Sequence, residues 1–300
     1  MNASLSFDLN RYLRERVRLV DDALERYLPG EDVRPQSLHR AMRYSTMSGG
    51  KRLRPILVIA GAEAVGGEAE MVLPTACAVE LIHTFSLIHD DLPAIDNDTL
   101  RRGRPTCHVQ FGEAVAILAG DALFASAFDL IARNADTVPA ERVVQVLQLV
   151  AEASGTRGMV GGQMVDIESE GKEADADTVE YIHRHKTAAL IRASVVSGAI
   201  LAGAEQWQVD ALSRYGELAG LAFQIADDLL NVTGDPRKTG KAVGTDAARG
   251  KVTYPALFGV EASHRRAHQL VQEAIATLRP FGESAEPLRA IAYLMVEREG

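Results

Sequence analysis

The stretch WQVDALSRYGELAGLAFQIADDLLN, residues 207 to 231, decides the fold class. It holds no proline, and its apolar residues recur at three- and four-residue spacing on most sides rather than along one stripe. Such a helix belongs inside a bundle, not on its surface. Residues 179–202 read the same way, and working outward the same spacing predicts helices over 9–27, 37–46, 55–64, 71–91, 113–133, 140–154, 253–278 and 287–299. Prolines are expected between these segments, and little of the chain shows the two-residue alternation of strands. The chain is therefore predicted to be all-α. No Ser/Gly-rich linker or repeat divides it, so residues 1–300 are expected to form a single domain, with GDPRKTGKAVGTDAARGK, 234 to 251, as a long loop of the kind that often carries function.

Bulk properties narrow the function. A hydrophobic content of 47% over 300 residues is ample for a large core. The 32 Lys and Arg against 41 Asp and Glu give a net charge of -9, which argues against nucleic acid or a polybasic membrane surface. Cys77 and Cys107 lack metal-type spacing, so a reducing compartment, the cytoplasm, is expected. The N-terminal residues reach charge before any apolar run, and no stretch approaches the ~20 apolar residues of a membrane span, so neither export nor insertion is expected.

Two acidic clusters stand out. HDDLPAIDNDTLRRGRP places Asp90 and Asp91 at the end of an apolar helix that Pro93 disfavours continuing, with Asp96 and Asp98 just beyond. QIADDLLNVTGD ends the helix predicted over 207–231, with Asp227 and Asn231 one turn apart and Asp228 beside them. Converging carboxylates repel unless a hard cation lies among them, and oxygen donors without nearby thiolates suit Mg²⁺. An acidic helix end with a turn would explain either cluster alone. Two in one bundle suggest a shared cavity, because uncompensated buried charge is too costly to be incidental.

Against this acidic background lie compact basic motifs: GGKRLRP (49–55), RRGRP (101–105), HKT (185–187), and Lys241 and Lys251 in the long loop. Arginine offers a planar fork of donors to phosphate oxygens and lysine a mobile charge, while Gly49 and Gly50 let backbone approach a ligand. Any one of them could be a solvated surface charge. Acid and base side by side imply a polyanion bridged by metal, the arrangement that phosphoryl enzymes use.

Taken in order, GGKRLRP, LIHTFSLIHDDLPAIDNDTLRRGRPTCH, HKT, FQIADDLLNVTGD and GKVTYPALFG resemble the trans-isoprenyl diphosphate synthases, specifically bacterial enzymes of the farnesyl diphosphate synthase type, from about Arg43 to Tyr293. The four-residue spacer between Asp91 and Asp96 is similar to that of the bacterial and plant enzymes. The resemblance implies an isoprenoid-synthase-like helical bundle around a central cavity, one polyprenyl synthase domain, and a homodimer. It implies that Asp90, Asp91, Asp96 and Asp227, with Asp228 supporting, hold Mg²⁺, three ions in all, on an allylic diphosphate. By the same resemblance Lys51, Arg54, His83 and Arg102 bind isopentenyl diphosphate, and Arg101, Lys186, Thr187, Gln224, Lys241 and Lys251 contact the allylic diphosphate. The second motif departs from the family's Asp-Asp-x-x-Asp in ending on Asn231, a neutral donor.

The implied reaction is ionisation of the allylic carbon–oxygen bond, attack by the isopentenyl double bond, and loss of a proton. Catalysis of that kind is electrostatic and needs water excluded, and the loop from Gly234 to Lys251 is a candidate lid. Phe85, five residues before Asp90 and about 7–8 Å down the helix, is expected to close the product tunnel at farnesyl length, with Ser86 adding little bulk. Ordinary helix packing would account for an isolated Phe equally well, and smaller residues there resemble geranylgeranyl-length enzymes. His89-Asp90 also fits the short core of a metal-dependent phosphohydrolase, without an evident set of further His ligands. A terpene cyclase would share the chemistry but has no need of the second diphosphate site in GGKRLRP. A non-catalytic partner subunit is the reading of a different class, favoured only if Asn231 cripples the site.

Overall fold

The computed structural model describes residues 7–172, 175–233, 251 and 253–297. Helices dominate: α1 (Leu9–Tyr27), α2 (Gln36–Thr46), α3 (Leu53–Glu63), α4 (Ala69–Asp90), the short α5 (Cys107–Phe111), α6 (Glu113–Arg133), α7 (Ala140–Ser154), α8 (Met159–Ser169), α9 (Ala176–Ile182), α10 (Ala189–Ala202), α11 (Gln206–Thr233), the short α12 (Tyr254–Phe258), α13 (Val260–Thr277) and α14 (Glu286–Val296). A two-residue hairpin, β1 (Leu100–Arg101) with β2 (Arg104–Pro105), is the only sheet among the described residues. The all-α expectation is met.

Local chemistry fixes the ends of these elements. Asp8 caps α1 by accepting from the Arg11 amide at 2.9 Å, and Asp175 caps α9 by accepting from the Thr178 amide at 2.9 Å. The segment expected as one helix over 253–278 is two, because Gly259 takes a φ of 82° between α12 and α13. Proline is not wholly excluded from helices either: Pro74 lies in the second turn of α4. Residues 179–202, expected as one helix, begin at Ala176 and pass through a π-helical turn, His183–Ala188, between α9 and α10.

Packing follows from the apolar sequences. α3, α4 and α10 are buried on nearly every side. One core cluster joins α1, α4, α6 and α7; a second joins α3, α10, α11, α13 and α14. α3 and α10 meet backbone to backbone: a Cβ on Gly61 would fall 2.1 Å from the Val195 carbonyl oxygen, and one on Gly198 would fall 1.8 Å from that of Val58. Even alanine would force these helices apart. Contrary to the sequence-based expectation, two helical stretches, Ala69–Asp90 and Glu113–Asp136, are long and apolar enough to cross a membrane by length and composition alone. The reason lies in the core, since burial in a bundle selects the same residues, and 67% of the first window is buried inside the protein. The second is only 39% buried, leaving Ile117 and Leu118 exposed on α6.

Candidate active site

A cavity of about 1180 Å³ opens between the C-terminal ends of α4 and α11, the hairpin, α8 and the π turn. Both acidic helix ends reach it, as two clusters around a shared cavity require. Asp90, Asp96, Asp98, Asp227, Asp228 and Asn231 all line it. The chain folds back after α4 because the Asp96 amide donates to the Asp90 carbonyl at 2.8 Å, which returns Asp96 to the side of Asp90. Burial raises the pKa of Asp90 to about 6; Lys186 opposes the rise and Asp96 adds to it. A carboxylate that is costly to ionise alone is one that a cation would stabilise.

Within each Asp-Asp pair the two carboxylates part company. Asp91 is 3% exposed and turns out of the cavity, where Arg101 grips it from Nε at 2.8 Å and from Nη2 at 2.5 Å. Asp228 is 5% exposed and touches the cavity only at its edge: Oδ1 accepts from Gln224 Nε2 at 3.0 Å, while Oδ2 accepts from the Tyr254 amide at 2.9 Å and lies 3.1 Å from His183 Nε2. Among the described residues no three of His, Cys, Asp and Glu are gathered tightly enough to hold a metal unaided. The carboxylates facing the cavity are hard oxygen donors with space between them, which fits a Mg²⁺ ion whose remaining ligands come from diphosphate or water.

The basic motifs separate by position. In GGKRLRP, Arg52 points into the core, paired to Glu80 at 2.7 Å and Asp21 at 2.8 Å, whereas Arg54 lines the cavity and Lys51 is exposed outside its lining. RRGRP forms the hairpin, with Arg102 and Gly103 at φ of 53° and 72° in its turn, and both Arg101 and Arg102 line the cavity. His83 shares that wall; burial, then the guanidinium groups of Arg54, Arg102 and Arg101, push its pKa well below the ordinary histidine value, so the ring is neutral. On the opposite wall the π turn presents Lys186 and Thr187, and the Thr187 hydroxyl donates to Gln224 Oε1 at 2.6 Å. π turns are rare and concentrate at functional sites. Lys251 reaches in from the far side, 3.3 Å from Asp96 Oδ1. Lys241 and the candidate lid, apart from Lys251, lie outside the described residues.

Phe85 and Ser86 also line the cavity. Phe85 packs at a tilt against Phe124 of α6 at 4.8 Å between centroids and edge to face against His89 at 4.9 Å, and Phe124 meets Phe128 edge to face at 5.2 Å. The Ser86 hydroxyl is spent on the His83 carbonyl at 2.8 Å. Sequence reading missed α8 and with it two polar groups of the wall. Asp166 accepts from Lys186 Nζ at 2.7 Å and from Lys251 Nζ at 3.3 Å. Gln163, one turn earlier, has both its side-chain polar atoms buried with no hydrogen-bond partner among the described residues.

The polyprenyl synthetase family model matches residues 35–292. The chain belongs to the polyprenyl synthetase family. Membership makes it a trans-prenyltransferase, as the resemblance implied. It is 49% identical to a geranylgeranyl diphosphate synthase of Cyanophora paradoxa over 98% of this chain and 97% of that protein. Among solved structures it is similar to an FPP/GFPP synthase from Zymomonas mobilis, with a TM-score of 0.86 and 38% identity over 96% of this chain and 98% of that one. A Helicobacter pylori geranyltransferase, solved in complex with magnesium and isoprenyl diphosphate, superposes with a TM-score of 0.85 at 29% identity, covering 98% of both chains.

Proposed function

We propose that this prenyltransferase condenses isopentenyl diphosphate head to tail with dimethylallyl and then geranyl diphosphate, releasing farnesyl diphosphate, with residues 1–300 acting as one domain. Asp90, Asp96 and Asp227, with Asp91 and Asp228 supporting them, would hold Mg²⁺, three ions in all, which would supply neutralising charge for the leaving diphosphate. Lys186 and Lys251, with Arg101 and Lys241, bind the allylic diphosphate and stabilise the charge it gains as the carbon–oxygen bond breaks. Thr187 and Gln224 turn oxygen dipoles toward the cationic carbon. Arg54, Arg102 and Lys51 hold isopentenyl diphosphate, and neutral His83 adds an N–H without a charge. The proton lost from the condensed product passes to a diphosphate oxygen, so no side-chain base is needed. Asn231 contributes a neutral oxygen at the edge of the site.

The observation that carries the product length is Phe85, which lines the cavity below Asp90 with Phe124 and Phe128 packed behind it, tilted and edge to face. A ring braced in this way makes a firm floor. A second reading, geranylgeranyl diphosphate as product, is favoured by the Cyanophora paradoxa relative. Incubation with Mg²⁺, isopentenyl diphosphate and each of dimethylallyl, geranyl and farnesyl diphosphates separates the two. A fifteen-carbon product that is not extended, lengthened by Phe85→Ala, supports the floor; a twenty-carbon product from the unaltered protein favours the second reading, and no condensation at all favours a non-catalytic partner subunit. The enzyme is read as a cytoplasmic homodimer, in keeping with its two buried free cysteines and the exposed apolar residues of α6.

A further inference from the structure

α8 was silent in the sequence, yet it supplies the one carboxylate in the cavity that both described lysines share. Lys186 Nζ and Lys251 Nζ bind the same oxygen of Asp166, Oδ2, at 2.7 and 3.3 Å. Two ammonium groups on one oxygen are brought within reach of a single diphosphate. The contact is built in, because α8 lies hard against the π turn at Gly162, one turn before Asp166, where a Cβ would fall 2.3 Å from the Lys186 amide nitrogen. The side chains are sheltered, at 13% exposure for Asp166, 25% for Lys186 and 12% for Lys251. Lys251 also reaches Asp96 at 3.3 Å, so the chain Lys186, Asp166, Lys251, Asp96 runs from the π turn across to the first acidic motif.

We infer that Asp166 is a positioning residue for the allylic diphosphate: it holds Lys186 and Lys251 convergent, each with at least one N–H beyond its bonds to Asp166 and Asp96, so that the diphosphate meets two ammonium groups already in place. An ammonium group has three donors and can keep the carboxylate while it binds phosphate. Free lysines would each have to surrender rotamer freedom on binding. This inference rests on the function proposed above, in which these lysines hold the allylic substrate.

The test compares Asp166→Asn and Asp166→Glu with the unaltered enzyme. The readouts are KM for geranyl and isopentenyl diphosphates separately, thermal stability, and the Kd of a non-hydrolysable geranyl diphosphate analogue with Mg²⁺. Asp166→Asn is expected to raise the allylic KM and the analogue Kd about tenfold, the order of one charge-assisted hydrogen bond, and to leave the isopentenyl KM within about twofold. Asp166→Glu, which keeps the charge, is expected to recover most of the loss. Unchanged allylic constants, tighter analogue binding, or equal loss of both substrates that tracks a lowered melting temperature in both variants would each overturn the inference. Failure of the function itself is distinguishable, since then the unaltered protein would neither bind the analogue nor condense geranyl diphosphate.

Discussion

Asp90–Asp91 and Asp227–Asp228 are chemically the same dipeptide near the C-terminal end of a helix, the first at the very end of α4 and the second inside the last turns of α11, and the two are anchored by different physics. In both, the first carboxylate faces the cavity and the second is buried, because neighbours on a helix point about 100° apart and cannot share a face. The partners differ. Asp91 is neutralised by a full cation, Arg101, gripped from two nitrogens, while Asp228 is satisfied by Gln224, the Tyr254 amide and the His183 ring. The first arrangement ties the hairpin to α4; the second ties the start of α12, at Tyr254, to α11. In each motif, then, one aspartate is available for chemistry and its neighbour fastens the segment that closes the cavity around it.

The sharpest way to break this comparison is to neutralise all four aspartates in turn. Asp90→Asn and Asp227→Asn are expected to lower kcat by about a thousandfold, at the scale of lost transition-state charge stabilisation, with melting temperatures nearly unchanged. Loss of stability in these two, or full activity, would erase the distinction between a cavity carboxylate and a fastening one. The buried pair should respond the other way round. Asp91→Ala leaves Arg101 with only its longer contact to Asp98, 3.9 Å, and is expected to cost roughly 3–5 kcal/mol in urea unfolding, whereas Asp228→Asn, which weakens hydrogen bonds, is expected to cost roughly 1–3 kcal/mol. Equal costs would mean that the guanidinium of Arg101 matters no more than the hydrogen bonds around Asp228.

The smallest effect concerns the cationic wall, which borders the first motif only. His83 stays neutral in the fold while the unfolded chain protonates it below its ordinary value near 6.5. The unfolded state then binds the extra proton, so stability is lost as pH falls below that value and is recovered above it. Because the ring borders a wet cavity, the slope is expected to stay below the ~1.4 kcal/mol per pH unit of a wholly sheltered group. His83→Gln should flatten this acid limb in urea midpoints taken between about pH 5 and pH 7.5, within the range the histidine shift governs. An unaltered limb would show that burial and the guanidinium groups together do not hold the ring neutral.

How much of this was legible in the sequence depended on whether local signals and burial agreed. α1, α6 and α7 match the sequence reading to the residue, since their apolar spacing agrees with the signals at their starts, the Asp8 cap of α1 and the breakers Gly112 and Pro139 before α6 and α7. α8 was missed because Gly158, Gly161 and Gly162 depress helix propensity over its first turn, and the glycine that weakens the helix is the one that lets it touch Lys186. With the helix unseen, nothing sets Asp166 apart from the acidic residues Glu168 and Glu170 that follow it. Asp90, Asp96 and Asp227 were legible because charge at the end of an apolar helix demands a partner. The approach of Lys251 to Asp96 was not, because the two are 155 residues apart and only the closed bundle joins them.

The π turn at His183–Ala188 has one more consequence. A wider turn holds about one residue beyond the α-helical count, so the helix before it and the helix after it are out of phase by most of a right angle or more. Ala176–Ile182 can therefore address the rim of the cavity and Ala189–Ala202 the apolar centre of the bundle, although together they make one uninterrupted rod. The bulge thus acts as a local gearbox: it turns Lys186 and Thr187 toward the cavity while the helix after it keeps its own register against the core.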